Sequence, residues 1–216
     1  SFKLSHQGNI APILLPEVLG SHQLYAALAA VAVGLVYEMN LLEIAEALKN
    51  YHSPNGRMRL LGGIKDTMII DDTYNSSPQA ALAAVEALAS LRSGRKKIAV
   101  LSDMLELGDF SEQAHLDLGR AVATNHSDTL LTVGPLAQKI AAGAEEAGLS
   151  REEIFSFNDN LTAGKFLQDQ IAPGDIILIK GSQGTRMEEV VKEIMAEPLR
   201  AEELLVRQGA EWQKSI

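Results

Sequence analysis

The sequence predicts an α/β fold: a mostly parallel six-stranded sheet with flanking helices over about residues 57–197, preceded by a short strand-and-helix segment. Three observations predict it. From residue 57 onward, short runs of branched apolar residues alternate with runs of helical period, the order that builds a doubly wound domain. Residues 175–179 form a near-continuous apolar run, as expected of a central strand buried on both faces. Residues 67–82 pass from Met68, Ile69 and Ile70 through Asp71-Asp72-Thr73-Tyr74-Asn75 to Ser77-Pro78. Serine then proline is the favoured N-cap and first residue of a helix. A strand, a polar loop and a helix in that order is where open α/β sheets bind ligands.

The elements follow in order. Residues 2–4 and 11–15 read as short strands separated by Gly8-Asn9, the edge of a sheet whose other strands are missing. Ser1 stands where a starting methionine would, which suggests a fragment or a processed chain. Residues 21–39 form a helix apolar nearly all round, expected to be buried. A second helix spans 42–50, with Glu43, Glu46 and Lys49 on its wet face. The turn-rich stretch 51–56, with Pro54-Asn55-Gly56, is placed as a domain boundary.

Beyond it, 57–61 and 66–71 read as a hairpin around Gly62-Gly63. A helix over 78–91, a strand over 97–101 and a loop over 102–108 follow. Ser111 is expected to cap a helix reaching about 125. Residues 129–133 are a strand, and the next helix is stopped by Gly148. Residues 154–157 are a strand, 161–170 a helix, 175–179 a strand, 180–185 a glycine loop and 186–195 a helix. A charged helix near 200–207 closes the chain.

Composition excludes several functions. Hydrophobic residues make up 46% and charged residues 22% of the 216, so the chain is globular rather than disordered. A net charge of -9 argues against nucleic acid or an anionic membrane as main partner. With no cysteine, disulfides and thiolate metal sites are excluded. The five histidines are scattered without a His-x-x-x-His pair, so no metal site is assigned. No apolar run reaches the ~18 residues of a membrane span, and the N-terminus lacks the regions of a signal peptide. A cytoplasmic monomer is expected.

Four patches could carry chemistry. Asp71 to Asn75 offers carboxylates to hydroxyls or a metal, beside a helix start that offers amide hydrogens to anions; an Asx turn with an N-cap explains it as well. Arg57, at the boundary, suits a phosphate clamp or a surface ion pair. Asp103 and Glu106, with His115 nearby, could bind a cation or an amine, or form a solvated acidic loop. Lys180-Gly181-Ser182-Gln183-Gly184-Thr185-Arg186 reads as an anion nest flanked by two cations. It is neither a Walker A loop nor the dinucleotide glycine fingerprint, which also disfavours a nicotinamide dehydrogenase.

Taken together, from about residue 18 to 195, the order and spacing of the motifs resemble the C-terminal half of the Mur ligases. Gly20-Ser21-His22-Gln23 with Leu28-Ala29-Ala30 is similar to that family's Gly-x-His-Asn helix, and Gly56-Arg57 to its hinge arginine. Asp71-Asp72-Thr73-Tyr74-Asn75-Ser76-Ser77-Pro78 resembles the stretch of the D-alanyl-D-alanine-adding branch. Ser102-Asp103-Met104-Leu105-Glu106-Leu107-Gly108 with His115, and Lys180-Gly181-Ser182 with Met187-Glu188, complete the set.

The resemblance implies that 1–53 end a central ATPase domain, that 57–197 form the Rossmann-like C-terminal domain, and that 198–216 are a helical tail. It implies an ATP-dependent amide-bond ligase of peptidoglycan precursor synthesis. Such an enzyme joins D-alanyl-D-alanine to UDP-N-acetylmuramoyl-tripeptide through an acyl phosphate, with ATP and Mg2+ as cofactors. Arg57 and Lys180 would be catalytic. His22, Gln23, Arg57, Asp72, Tyr74 and Asn75 would bind the nucleotide, Asp72 through the ribose hydroxyls. Asp103, Glu106, Lys180, Ser182 and Arg186 would face the dipeptide. The family's Walker A loop and its metal-binding residues lie upstream of this chain, so it should not turn over ATP by itself. It departs from the family at Gln23, Ala26 and Gln183. The alternative is a non-catalytic Mur-like module that binds a nucleotide or a partner protein.

Overall fold

The computed structural model describes residues 1–20, 23–91 and 94–213. They divide into two compact units, Ser1–Pro54 and from Asn55 onward.

The first unit opens with an antiparallel hairpin of β1 (Phe2–His6) and β2 (Asn9–Ile13), Phe2 opposite Ile13. Helices α1 (Gln23–Val36) and α2 (Leu41–Leu48) follow. Asn40 caps α2 reciprocally with Glu43, each side chain accepting from the other's backbone N–H, which satisfies two of the helix's orphan donors. Ile13, Leu15, Ala27, Val31, Ile44, Ala45 and Leu48 form the core. The expected burial of α1 is confined, within this unit, to one face. Gln23, Ala27, Val31 and Gly34 form its one buried stripe, while Tyr25, Val33 and Val36 are 79%, 57% and 80% exposed. One layer of neighbours covers one helix face, whatever the composition of the others.

The second unit has the predicted architecture. Its sheet runs β3 (Arg59–Gly62), β4 (Met68–Asp72), β8 (Ile176–Lys180), β5 (Lys97–Ser102), β6 (Thr129–Val133) and β7 (Ile154–Phe157), with only β3 antiparallel. Helices α3 (Pro78–Ser90), α4 (Ser111–Thr124) and α5 (Gln138–Glu146) carry the chain from β4 through β5 and β6 to β7. Helix α6 (Asn160–Gln170) carries it back to β8, and α7 (Glu188–Ile194) follows. Because parallel crossovers are right-handed, reversing the direction of travel moves the later helices to the opposite face. Ile177 and Ile179 of β8 accordingly pack with Leu167, Val190 and Ile194 of α6 and α7. On the other side α4 and α5 approach backbone to backbone. A methyl at Gly119 would lie 2.0 Å from the Ile140 carbonyl oxygen, and one at Gly143 would lie 2.1 Å from that of Leu116.

Four local expectations are corrected. Strand β3 begins at Arg59, and Asp66 belongs to a 3-10 turn, Ile64–Asp66. Ser111 does not cap α4. A 3-10 turn, Gly108–Phe110, runs straight into the helix, and the Ser111 hydroxyl has no hydrogen-bond partner among the described residues. Helix α7 starts at Glu188 rather than 186, because Arg186 adopts a left-handed φ of 54° after the turn Gln183–Thr185. The chain's end is not one helix over 200–207. It is a 3-10 turn, Pro198–Arg200, then α8 (Ala201–Leu204) and α9 (Ala210–Gln213). Ala201, Leu204 and Leu205 enter the core of the second unit.

Candidate functional site

Adjacent parallel strands β4, β8 and β5 release their loops at the same sheet edge. Register places Asp72 beside Lys180, and their side chains bond at 2.6 Å. Lys180 also donates to the Asn75 carbonyl at 2.9 Å, and Asp72 accepts from the Met58 N–H through its other oxygen at 3.1 Å. The pair is 2% and 12% exposed on the lysine and aspartate sides. Lys180 therefore holds the Asp72 to Asn75 loop rather than standing free.

The boundary turn is bonded to that same loop. The Gly56 N–H donates to Asp71 Oδ2 at 3.1 Å, and the Tyr74 N–H donates to the Gly56 carbonyl at 2.9 Å. Gly56 has a φ of 66°, and a methyl there would lie 2.9 Å from the Tyr74 nitrogen, so only glycine fits. These bonds set Arg57 with its Cζ 4.1 Å from the centroid of the Tyr74 ring. Arg57 is exposed and pairs with no carboxylate among the described residues. Asn75 is exposed as well, its amide oxygen accepting from the Ser76 N–H.

Asp71 is fully buried. Burial pushes its carboxyl up to about 6, against the Thr73 hydroxyl, which donates at 2.6 Å and favours the charged form. Between the ordinary value of 3.8 and about 6, the folded chain keeps a proton that the unfolded chain has released. The stability contributed by this carboxyl is therefore full below about pH 4 and declines as pH rises to 6. That difference corresponds to about 3 kcal/mol at most. Urea unfolding of wild type and Asp71→Asn at pH 4 to 7 is expected to show a steeper decline in the wild type, since Asp103 contributes to both. Parallel profiles would contradict it.

Ser182, Asp103 and His115 fasten the neighbouring loops. The Ser182 hydroxyl accepts from Leu105 N at 2.8 Å and donates to the Ser76 carbonyl at 3.4 Å. Asp103 accepts from Ala137 N at 2.7 Å, and burial holds its carboxyl above the usual range. His115 is fully buried, with Nδ1 2.6 Å from the Ser111 carbonyl and Nε2 2.9 Å from Met104 N. A carbonyl only accepts and an amide N–H only donates, so the ring carries its proton on Nδ1. Glu106 stays exposed, with a φ of 65°.

The two cations expected beside an anion nest, Lys180 and Arg186, are both engaged within the chain. Lys180 is neutralised by Asp72, and Arg186 donates to the buried Glu188 at 2.7 Å and to the Trp212 carbonyl at 3.0 Å. Helix α7 also opens on two carboxylates, Glu188 and Glu189. In the first unit Gln23 is buried, accepting from the Tyr51 hydroxyl at 3.0 Å and donating to Ser53 at 3.4 Å. His22 lies outside the described residues. Among the described residues, no group of three or more His, Asp or Glu side chains could hold a metal ion.

Sequence reasoning missed Arg207. It lies in the tail, yet its guanidinium bonds Glu188 and the Thr73 and Tyr74 carbonyls. A charged tail residue carries no sign of such a partner.

Comparison with known proteins places the chain. The family described as Mur ligase, glutamate ligase domain, matches residues 56–183. The UDP-N-acetylmuramoyl-tripeptide--D-alanyl-D-alanine ligase of Bacillus subtilis is 32% identical over 182 residues, 84% of this chain and 40% of that protein. The Escherichia coli protein of the same name is 31% identical over 193 residues, 88% of this chain and 40% of its own length. A crystal structure of MurF from Acinetobacter baumannii matches with a TM-score of 0.76 at 31% identity, over 88% of this chain and 41% of that one. The chain thus spans about two fifths of the length of these relatives. The chain belongs to the Mur ligase family and carries its C-terminal domain.

Proposed function

We propose that this chain is the C-terminal part of an ATP-dependent ligase that joins D-alanyl-D-alanine to UDP-N-acetylmuramoyl-tripeptide. The observation that carries the reading is Arg57: an exposed guanidinium stacked on Tyr74, without a carboxylate partner among the described residues. It rises from the same bonded loops as Asp72. The names borne by the relatives supply the substrates. On this reading the first unit ends a central ATPase domain, the second is the Rossmann-like closing domain, and the enzyme is a cytoplasmic monomer. Among the described residues, no helix is long and apolar enough to cross a membrane.

The residues present fit a nucleotide. An ionised carboxylate accepts about four hydrogen bonds, and Asp72 uses one on each oxygen, for Met58 N and Lys180. It keeps acceptors for ribose hydroxyls. Arg57 carries a fixed charge in a planar fork, which suits phosphate oxygens, while Tyr74 and Asn75 border the site. Lys180 acts through Asp72 and the Asn75 carbonyl. Asp103 and Ser182 shape the loops that would face the dipeptide, with Glu106 the exposed carboxylate among them. When bound, ATP with Mg2+ supplies the phosphoryl group that activates the tripeptide's terminal carboxylate as an acyl phosphate for attack by the dipeptide amine. This chain's contribution is to place positive charge and exclude misaligned poses, from which much of such rate enhancement comes.

The test is phosphate release by the complete polypeptide that carries this chain. Release that requires both UDP-N-acetylmuramoyl-tripeptide and D-alanyl-D-alanine is expected. Silence with every amine tried would favour the non-catalytic module instead.

A further inference from the structure

We propose that Arg207, in the C-terminal tail, is a positioning residue for the loop that carries Tyr74 and, through its ring, for Arg57. The proposal rests on the ligase reading for its effect on activity, but not for its effect on the loop.

Arg207 follows α8 and takes a left-handed φ of 54°. Its side chain is 4% exposed and faces Glu188, which is 0% exposed. The pairing is a fork on a fork. Nε donates to Glu188 Oε1 at 2.9 Å and one terminal nitrogen donates to Oε2 at 2.6 Å, the geometry that makes guanidinium–carboxylate pairs strong and directional. Glu188 therefore fixes the plane of the guanidinium. In that plane the same terminal nitrogen reaches the Thr73 carbonyl at 2.6 Å, and the other reaches the Tyr74 carbonyl at 3.0 Å.

Two consecutive carbonyls of the Asp72 to Asn75 loop thus hang on one side chain. The Tyr74 N–H is meanwhile held by the Gly56 carbonyl. With its backbone pinned on both sides, Tyr74 has a defined ring position, and Arg57 stacks on that ring. Arg186 shares Glu188 Oε1, so the carboxylate stays paired when Arg207 is removed. What the removal takes away is the pair of donors on Thr73 and Tyr74. A lysine could keep a charge beside Glu188, but it lacks the rigid fork that serves both a carboxylate and two carbonyls.

The experiment uses the complete polypeptide with wild type, Arg207→Ala, Arg207→Lys, Arg57→Ala and the double variant Arg57→Ala/Arg207→Ala. The first readout is hydrogen exchange. Faster exchange confined to peptides covering 55–58 and 71–77 is expected in Arg207→Ala, with 129–133 unchanged. Unchanged exchange at 71–77, or acceleration spread evenly through the sheet, would overturn the proposal. The second readout is the kinetic cycle. Arg207→Ala should lower kcat about tenfold, as a displaced reacting group does, yet less than about twofold when Arg57 is already alanine, because the two act as one unit. Equal losses on both backgrounds would overturn it. Arg207→Lys should show the same pattern in milder form, and it is read by the same criteria if the alanine variant does not fold. If wild type ligates nothing, the ligase reading fails and hydrogen exchange decides the positioning role by itself.

Discussion

Arg57→Ala is expected to lower kcat for ATP-dependent ligation by the complete polypeptide roughly a hundredfold or more, the size of effect seen when a preorganised charge or donor is removed from a transition state. Stability should hardly change. Arg57 is exposed and stacks on Tyr74, and such exposed contacts contribute about 0.5–1 kcal/mol. A large kinetic loss on a small thermodynamic one distinguishes a functional arginine from a structural one. Arg57→Lys should recover only part of the rate, since a point charge replaces a planar fork. Steady-state phosphate release beside urea unfolding measures both quantities. A variant within twofold of wild type would remove Arg57 from the chemistry.

Lys180→Met should do the reverse, striking stability first. Asp72 and Lys180 sit side by side on neighbouring strands and are almost wholly withdrawn from water. Removing one partner of a buried pair leaves an uncompensated charge and costs about 3–5 kcal/mol. Asp72→Asn in the Lys180→Met background removes the stranded charge and should restore much of the loss. The signature in urea unfolding is a double variant more stable than Lys180→Met, a coupling expected of groups in direct contact. Additive losses would show that the pair contributes little as a pair.

The sheet was legible in the sequence because its signals are local. The strand, polar loop and helix at 68–90 announce themselves through an apolar run, an acidic pair and Ser77-Pro78, and Ser77 does cap α3. The pairing of side chains was not legible. Asp72 and Lys180 stand 108 positions apart, and only strand register brings them together. Sequence alone therefore gives Lys180 as a cation beside a glycine loop, without the neighbouring carboxylate it is paired with. Arg186 failed for a related reason. Its left-handed backbone has no signature in a non-glycine residue, so the helical pattern of the sequence runs on through a point where the chain turns. Arg207 was hidden most deeply, 133 positions from the Tyr74 carbonyl it holds. At α1 the sequence tells less: an apolar cylinder records what could be buried, not how many neighbours the unit supplies.

The claim on which the function depends is that the turn at 55–58 and the loop at 71–75, bonded as one piece, meet the nucleotide. Hydrogen exchange of the complete polypeptide, with and without a non-hydrolysable ATP analogue at saturation, tests it directly. Slower exchange at 55–58 and 71–77 is expected on binding, with the strand at 129–133 unaffected. An analogue shown by equilibrium dialysis to be bound, with exchange at 55–77 unaltered, would contradict it.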